Sequence, residues 1–232
     1  MDSHQISSNL ATVKQRISKA CADAGRDPNE ITLVAVSKTK PTSYIEYAME
    51  HKQVHFGENR MQELDDKMTE LAGKNIEWHM IGNLQTNKIK FIADRVHWVH
   101  SIEKLKYLKE FEKRAADANH HVKALIQVNI SNEKQKGGCK PEALKDLLLA
   151  SQSFKHVTVC GLMGMATFTD DESEVRSEFK LLKSLFDEHK QYSEGSVQLE
   201  HISMGMSNDM EIAIQEGATM LRIGSDIFGA RN

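Results

Sequence analysis

The chain has 232 residues, enough for one α/β barrel or two small domains, and its 40% hydrophobic and 27% charged residues are ordinary for a soluble globular protein. A net charge of −3 supplies no global basic field for nucleic acid or an anionic membrane. No apolar run approaches the roughly 20 residues of a membrane span.

In chain order, the N-terminal segment "MDSHQISSNL" lacks a basic n-region and an apolar h-region, so no signal peptide is expected. A polar-amphipathic helix is predicted over about 3–24, ended by Gly25 and the turn "RDPNE". Apolar strand-like runs then recur at 31–38, 54–58, 77–82, 98–102, 122–130, 157–166, 199–205 and 220–229. Helical spacing lies between them. Tyr44, Ile45, Ala48 and Met49 share one face, as do Leu144, Leu147, Leu148 and Ser151, and Val175, Phe179, Leu182 and Phe186. Eight strands alternating with helices predict a parallel sheet. At this length they fit a single (β/α)8 TIM barrel with an extra N-terminal helix, the alternative being an open doubly wound sheet. No GxGxxG follows the first strand, which weakens a dinucleotide-binding open sheet. Cys21, Cys139 and Cys160 are odd in number and far apart, as free thiols in a reducing, cytoplasmic compartment would be. No CxxC or HExxH offers a metal site.

Barrel chemistry collects at the C-terminal ends of strands. Here those ends read "SKTKP", "FGENR", "WHMIGNLQTNK", "VHSIEK", "VNISNEKQKGG", "GLMGMAT", "HISMGMSND" and "RIGSDIFG", whereas the strand starts read as poor in polar, reactive residues. Lys38 shares a strand face with Val34 and Val36, opposite Leu33, Ala35 and Ser37. On the inner face its amine points into the barrel mouth, where desolvation favours the neutral nucleophile; the alternative is a lysine snorkelling to solvent. Across the mouth, Ser203 and Ser207 flank Gly205, Asn208 with Glu211 reads as a capping box, and Gly217 stops the helix. Gly224 and Ser225 follow the eighth strand. Hydroxyls, small residues and a helix start after strands seven and eight fit a phosphate cup, against the alternative of ordinary glycine turns. An amine facing a phosphate cup fits a carbonyl-bearing phosphate ester held as an imine, either pyridoxal 5′-phosphate or a sugar phosphate in a Schiff-base aldolase.

The segments "LVAVSKTKP", "FGENRMQE", "WHMIGNLQTNK", "QVNISNEKQKGG", "GLMGMAT" and "SMGMSNDMEIAIQEGATMLRIGSDIFG" make the chain resemble the YggS/PROSC family of pyridoxal phosphate homeostasis proteins, which are similar to the N-terminal barrel of alanine racemase. The resemblance runs over nearly the whole chain. It implies a fold-type III barrel as one domain over 1–232, pyridoxal 5′-phosphate as cofactor, and an internal aldimine on Lys38. Ser203, Ser207, Gly224 and Ser225 are implied to hold the phosphate, Asn59 to lie beside the cofactor, and Met204 and Met165 to line the pocket. Arg222 is expected to face the pyridine nitrogen, where a cation disfavours the proton that makes the cofactor a strong electron sink. His79 reads as structural or catalytic, Lys136 as a loop lysine near the phosphate or in solvent, and Lys40 as a neighbouring charge that favours a neutral Lys38.

A racemase needs an acid/base group on each face of the substrate carbon, and alanine racemase takes the second from a tyrosine of a separate C-terminal domain. Here "IFGARN" ends three residues past the eighth predicted strand, and Tyr44, Tyr47, Tyr107 and Tyr192 all read as helix or loop residues away from the rim. The expectation is a monomeric cofactor carrier, buffer or delivery protein with apo-enzymes as transient recipients and little amino-acid turnover. The alternative is a racemase or lyase of low activity.

Overall fold

The computed structural model describes residues 1–131, 133 and 137–230. Eight strands follow in chain order: β1 (Thr32–Val36), β2 (His55–Glu58), β3 (Glu77–Met80), β4 (Trp98–Ile102), β5 (Val122–Gln127), β6 (Val157–Met163), β7 (Val197–Ser203) and β8 (Met220–Ile223). They close into a barrel in that order, each neighbouring pair parallel and β8 returning to β1. The barrel predicted from the alternating pattern is the observed fold. Several strands stop short of the apolar runs that announced them, because the last residues of those runs leave the ladder and turn into the mouth. Residues 37–40 form a turn after β1, and Gly224 leads out of β8.

The helices are α1 (Ser3–Asp23), α2 (Thr42–Glu50), α3 (Met61–Glu70), α4 (Leu105–Asp117), α5 (Leu144–Ser151), α6 (Glu172–His189), α7 (Met210–Gln215) and α8 (Ser225–Phe228). The crossover from β3 to β4 is a 3₁₀ run, Thr86–Phe91. Helix α8 is a single turn, too short to cover β8 and β1. Helix α1 covers the seam instead, burying Ile6, Leu10, Val13, Ile17, Ala20 and Cys21 at three- and four-residue spacing and packing on α2, α7 and α8. The extra N-terminal helix is therefore packed into the outer layer.

The main core lies between sheet and helices and includes Leu33 and Ala35 from β1. The alternate residues, Val34 and Val36, face inward: a Cβ on Gly57 of β2 would lie 3.0 Å from Val34 Cγ1 and 3.6 Å from Val36 Cγ2. Inside the barrel, Trp98, Leu125, Cys160, Met163 and Met220 make a second apolar cluster. Cys21, Cys139 and Cys160 are buried free thiols, and burial pushes Cys139 up to about 12. Among the described residues no helix is long and apolar enough to cross a membrane, and no cluster of His, Cys, Asp or Glu could hold a metal ion.

Candidate functional site at the barrel mouth

One cavity of about 1300 Å³ opens at the C-terminal ends of the strands. It brings together Lys38, Asn59, Met165, Ser207, Arg222, Gly224 and Ser225. Lys38 is half-buried, and Val36, two residues earlier on the same face, lines the same cavity. The β1–β8 register sets Val34 beside Arg222, so the strand bearing Lys38 and the strand bearing Arg222 share one wall. Gly224 permits their close approach, since a Cβ there would lie 3.2 Å from the Val36 carbonyl oxygen.

The hydroxyl loops come from β7 and β8. Gly205 has φ +93°, a left-handed conformation that carries the chain out of β7, and a Cβ there would meet the Ala213 Cβ at 2.6 Å. The Ser225 hydroxyl donates to Ser207 Oγ at 3.1 Å. Arg16 of α1 ties the two loops together, donating to the Ser207 carbonyl at 3.2 Å, to Glu211 at 3.0 Å and to Asp226 at 2.5 Å. The expected Asn208 cap is corrected: Asp209 occupies that position and turns its carboxylate back to accept the Met206 N–H at 2.5 Å. Gly217, with φ +96°, lies just past the helix end, as expected.

Two of the expected contacts are absent. Met204 is fully buried in the main core between barrel and helices, and its N–H donates to the Met220 carbonyl, so neither its side chain nor its amide reaches the cavity. Strand alternation turns it outward, whereas Ser203 beside it turns inward but lies below the cavity floor. The Ser203 hydroxyl accepts from Arg222 Nη1 at 2.6 Å and lies 3.0 Å from His100 Nδ1. Its hydroxyl holds the arginine and not the cup. Lys136 lies outside the described residues.

Arg222 also donates to the Gly164 carbonyl at 3.0 Å. Burial lowers its pKa to about 10, with Asp209 opposing, so the guanidinium remains charged at neutral pH. Below it runs a chain that the sequence did not announce. His100 Nε2 lies 2.8 Å from His79 Nδ1, and His79 Nε2 lies 3.0 Å from His55 Nδ1. His79 is therefore neither at the rim nor in contact with the cavity: it is fully buried, stacked on Trp98 at 5.6 Å. Arginine can only donate, so the Ser203 hydroxyl accepts from Arg222, and its own proton can go to His100 Nδ1. In that arrangement His100 and His79 each carry their proton on Nε2, for His79 Nδ1 and His55 Nδ1 in turn. Burial pushes the pKa of His79 and of His100 well below the usual imidazole range, consistent with an all-neutral chain.

A second unannounced network lies behind β1 and β2. The fully buried Glu58 accepts from the Ser37 hydroxyl at 2.6 Å and from Lys67 of α3 at 2.8 Å. Burial raises the Glu58 pKa, and Lys67 opposes it. The sequence carried one signal for this network, Glu63 four residues before Lys67 on one helix face.

Asn59 is positioned by close backbone contact. A Cβ on Gly82 would fall 2.0 Å from the Asn59 carbonyl oxygen, so Gly82→Ala must displace the strand ends at the cavity. That substitution is expected to cost about 1–3 kcal/mol or more in urea unfolding. Wild-type stability would show that the two strand ends separate freely.

The sequence profile of the alanine racemase N-terminal domain matches residues 1–232. A pyridoxal phosphate homeostasis protein of Aquifex aeolicus is 41% identical over 222 residues, covering 96% of both chains. Among solved structures, PipY of Synechococcus elongatus with PLP bound superposes with a TM-score of 0.84 at 30% identity, covering 97% of this chain and all of that one. Alanine racemase of Corynebacterium glutamicum superposes with a TM-score of 0.75 at 15% identity, covering all of this chain and 62% of that one, a likeness of fold alone.

Proposed function

The chain belongs to the family of alanine racemase N-terminal domains, and on that premise we propose that it binds pyridoxal 5′-phosphate on Lys38 and serves in homeostasis of that cofactor, by buffering, carriage or delivery. The observation that carries this reading is the joint placement of Lys38, Arg222 and the Ser207–Ser225 hydroxyl pair in one cavity. The donor set fits the cofactor: an amine for its aldehyde, hydroxyls for its phosphate and a guanidinium for its ring nitrogen. The room that Gly224 leaves beside Val36 serves the same purpose. Ser207, Gly224 and Ser225 hold the phosphate, Asn59 and Met165 flank the ring, and Arg222 faces the pyridine nitrogen. When bound, the cofactor supplies an electron-withdrawing ring conjugated to an imine.

Arg222 stays charged and is held by Ser203 and Gly164, so it disfavours a proton on the ring nitrogen and weakens support for a substrate carbanion. Among the described residues no tyrosine lines the cavity: Tyr44 and Tyr47 lie on α2, Tyr107 on α4 and Tyr192 just after α6. The relatives' name as homeostasis proteins agrees with a carrier and not a racemase. The protein works as one domain and one monomer in the cytoplasm, with apo-enzymes as transient recipients.

The test is the absorbance spectrum of the purified protein with pyridoxal 5′-phosphate, followed by borohydride reduction and peptide mapping. A visible imine band and a reduced adduct on Lys38 are expected, with no deuterium exchange at the α-carbon of added amino acids. An adduct elsewhere, or rapid exchange, refutes the reading. For the phosphate loops, Ser207→Ala with Ser225→Ala is expected to weaken cofactor retention about tenfold to a hundredfold while leaving the fold intact. Unchanged retention in equilibrium dialysis would place the phosphate elsewhere.

A further inference from the structure

The turn that carries Lys38 is held in an unfavourable conformation. The Lys40 N–H donates to the Ser37 carbonyl at 3.0 Å, closing a four-residue turn with Lys38 second and Thr39 third. Thr39 has φ +64°. That left-handed conformation suits glycine or asparagine in the third position of a turn and is strained for a β-branched residue. Such strain persists where the surroundings over-determine it, and it gathers at functional sites.

The surroundings here are specific. Lys67, 6% exposed, donates to the Ser37 carbonyl at 2.9 Å, to Glu58 Oε1 at 2.8 Å and to Glu63 Oε1 at 2.8 Å. The same Glu63 oxygen accepts the Thr39 N–H at 2.6 Å. Glu58 accepts the Ser37 hydroxyl at 2.6 Å. The residue before Lys38 and the residue after it are thus both pinned to one buried ammonium and its two carboxylates. A buried ion pair is a poor source of stability, since apolar replacements of like volume are often neutral or better. Pinning a strained turn accounts for its presence.

We propose that Lys67, Glu58 and Glu63 form a positioning clamp that holds the Lys38 turn in its left-handed form, so that the Lys38 amine is presented to the cofactor aldehyde in place. Lys67 anchors the strand side through Ser37, and Glu63 anchors the outgoing side through Thr39. None of the three lines the cavity, so the clamp acts through backbone geometry alone.

The proposal rests on Lys38 as the attachment point, and the test separates the two. Full-length apo-protein is mixed with pyridoxal 5′-phosphate, and the rate at which the imine band appears is followed for wild type, Glu63→Ala and Glu63→Ala with Thr39→Gly. Thermal unfolding is recorded for each. Glu63 is only partly buried, so its loss leaves the fold intact. Glu63→Ala is expected to slow imine formation about tenfold. Adding Thr39→Gly should return the rate toward wild type, because glycine adopts the turn without the carboxylate. A purely structural role would not give that rescue. Wild-type rates in Glu63→Ala, or a slow variant that glycine fails to rescue, overturn the clamp while leaving Lys38 as the attachment point. A wild-type chain that forms no adduct on Lys38 overturns the functional reading itself and the clamp with it.

Discussion

Lys38→Ala is expected to abolish the visible imine band and to leave borohydride no adduct to trap, while the barrel unfolds at nearly the wild-type temperature. The reasons are local. Lys38 lies beyond the paired residues of β1, half-buried against a large cavity, so shortening it empties little core, and a change in stability of about 1 kcal/mol or less is expected. The loops after β7 and β8 remain, held by Arg16, so the variant should still bind the cofactor, but reversibly and with a spectrum of the free aldehyde. Dialysis then removes it faster than from wild type. Lys40→Ala is the informative contrast. Lys40 lines the same cavity, but its ammonium donates to the Ala230 carbonyl at 2.8 Å. Its removal should leave the adduct on Lys38 and alter only the pH at which the band appears, through loss of a nearby positive charge. A full-strength imine band in Lys38→Ala would refute the attachment point, and an adduct that moves to Lys40 would show that the cavity and not the turn selects the amine.

The barrel was legible because each βα unit carries its own pattern. Leu33 and Ala35 alternate with Val34 and Val36, and the amphipathic helices between strands bury one face each. Lys38 was legible in part for the same reason, since alternation offered it the inner face as one alternative, and from the turn beyond β1 it lines the cavity. That period misses where the floor of a cavity lies. Ser203 faces inward as alternation requires, yet it stands one layer below the mouth and bonds Arg222. Met204, its neighbour, had to face outward, so placing Ser203 in the cup and Met204 on the pocket wall ignored the alternation that had served for Lys38. The strand starts are also more polar than they read. His55 and Lys123, with His201 from further along β7, are gathered around Trp98 and His79, a meeting of five strands that no local pattern records. The Glu58–Lys67 pair was hidden likewise, because its partners come from β2 and α3 and meet only when the helix packs over the strand.

Acidification below about pH 6.5 is expected to destabilise the protein steeply, and the buried histidines are the cause. His79 and His100 are fully buried, and burial is the first reason their pKa values fall well below the ordinary range. Neighbouring charge adds to it: His100 and His55 for His79, and Arg222 and His201 for His100, with Lys123 and His97 also acting on His79. The folded state therefore keeps both rings neutral while the unfolded chain protonates them near its ordinary value. Stability from this pair is complete above the unfolded pKa and is lost as pH falls below it. Two protons account for at most about 2–3 kcal/mol between pH 6 and pH 5, on the order of 5–10 °C in unfolding temperature for a chain of this size. His55, His97 and His201 are depressed as well and add to the slope. Glu58 and Asp209 run the other way, since burial raises them and protonation relieves it, so they offset part of the loss at the acid end. His79→Gln separates the contributions, because glutamine can donate and accept in the same chain but takes up no proton. Urea unfolding across this window should give it a slope shallower by about one proton. A wild-type stability that is flat from pH 7 to pH 5.5, or an unchanged slope in His79→Gln, would refute the account. A proton on His100 would set a second cation near Arg222, which opposes its uptake in the folded state.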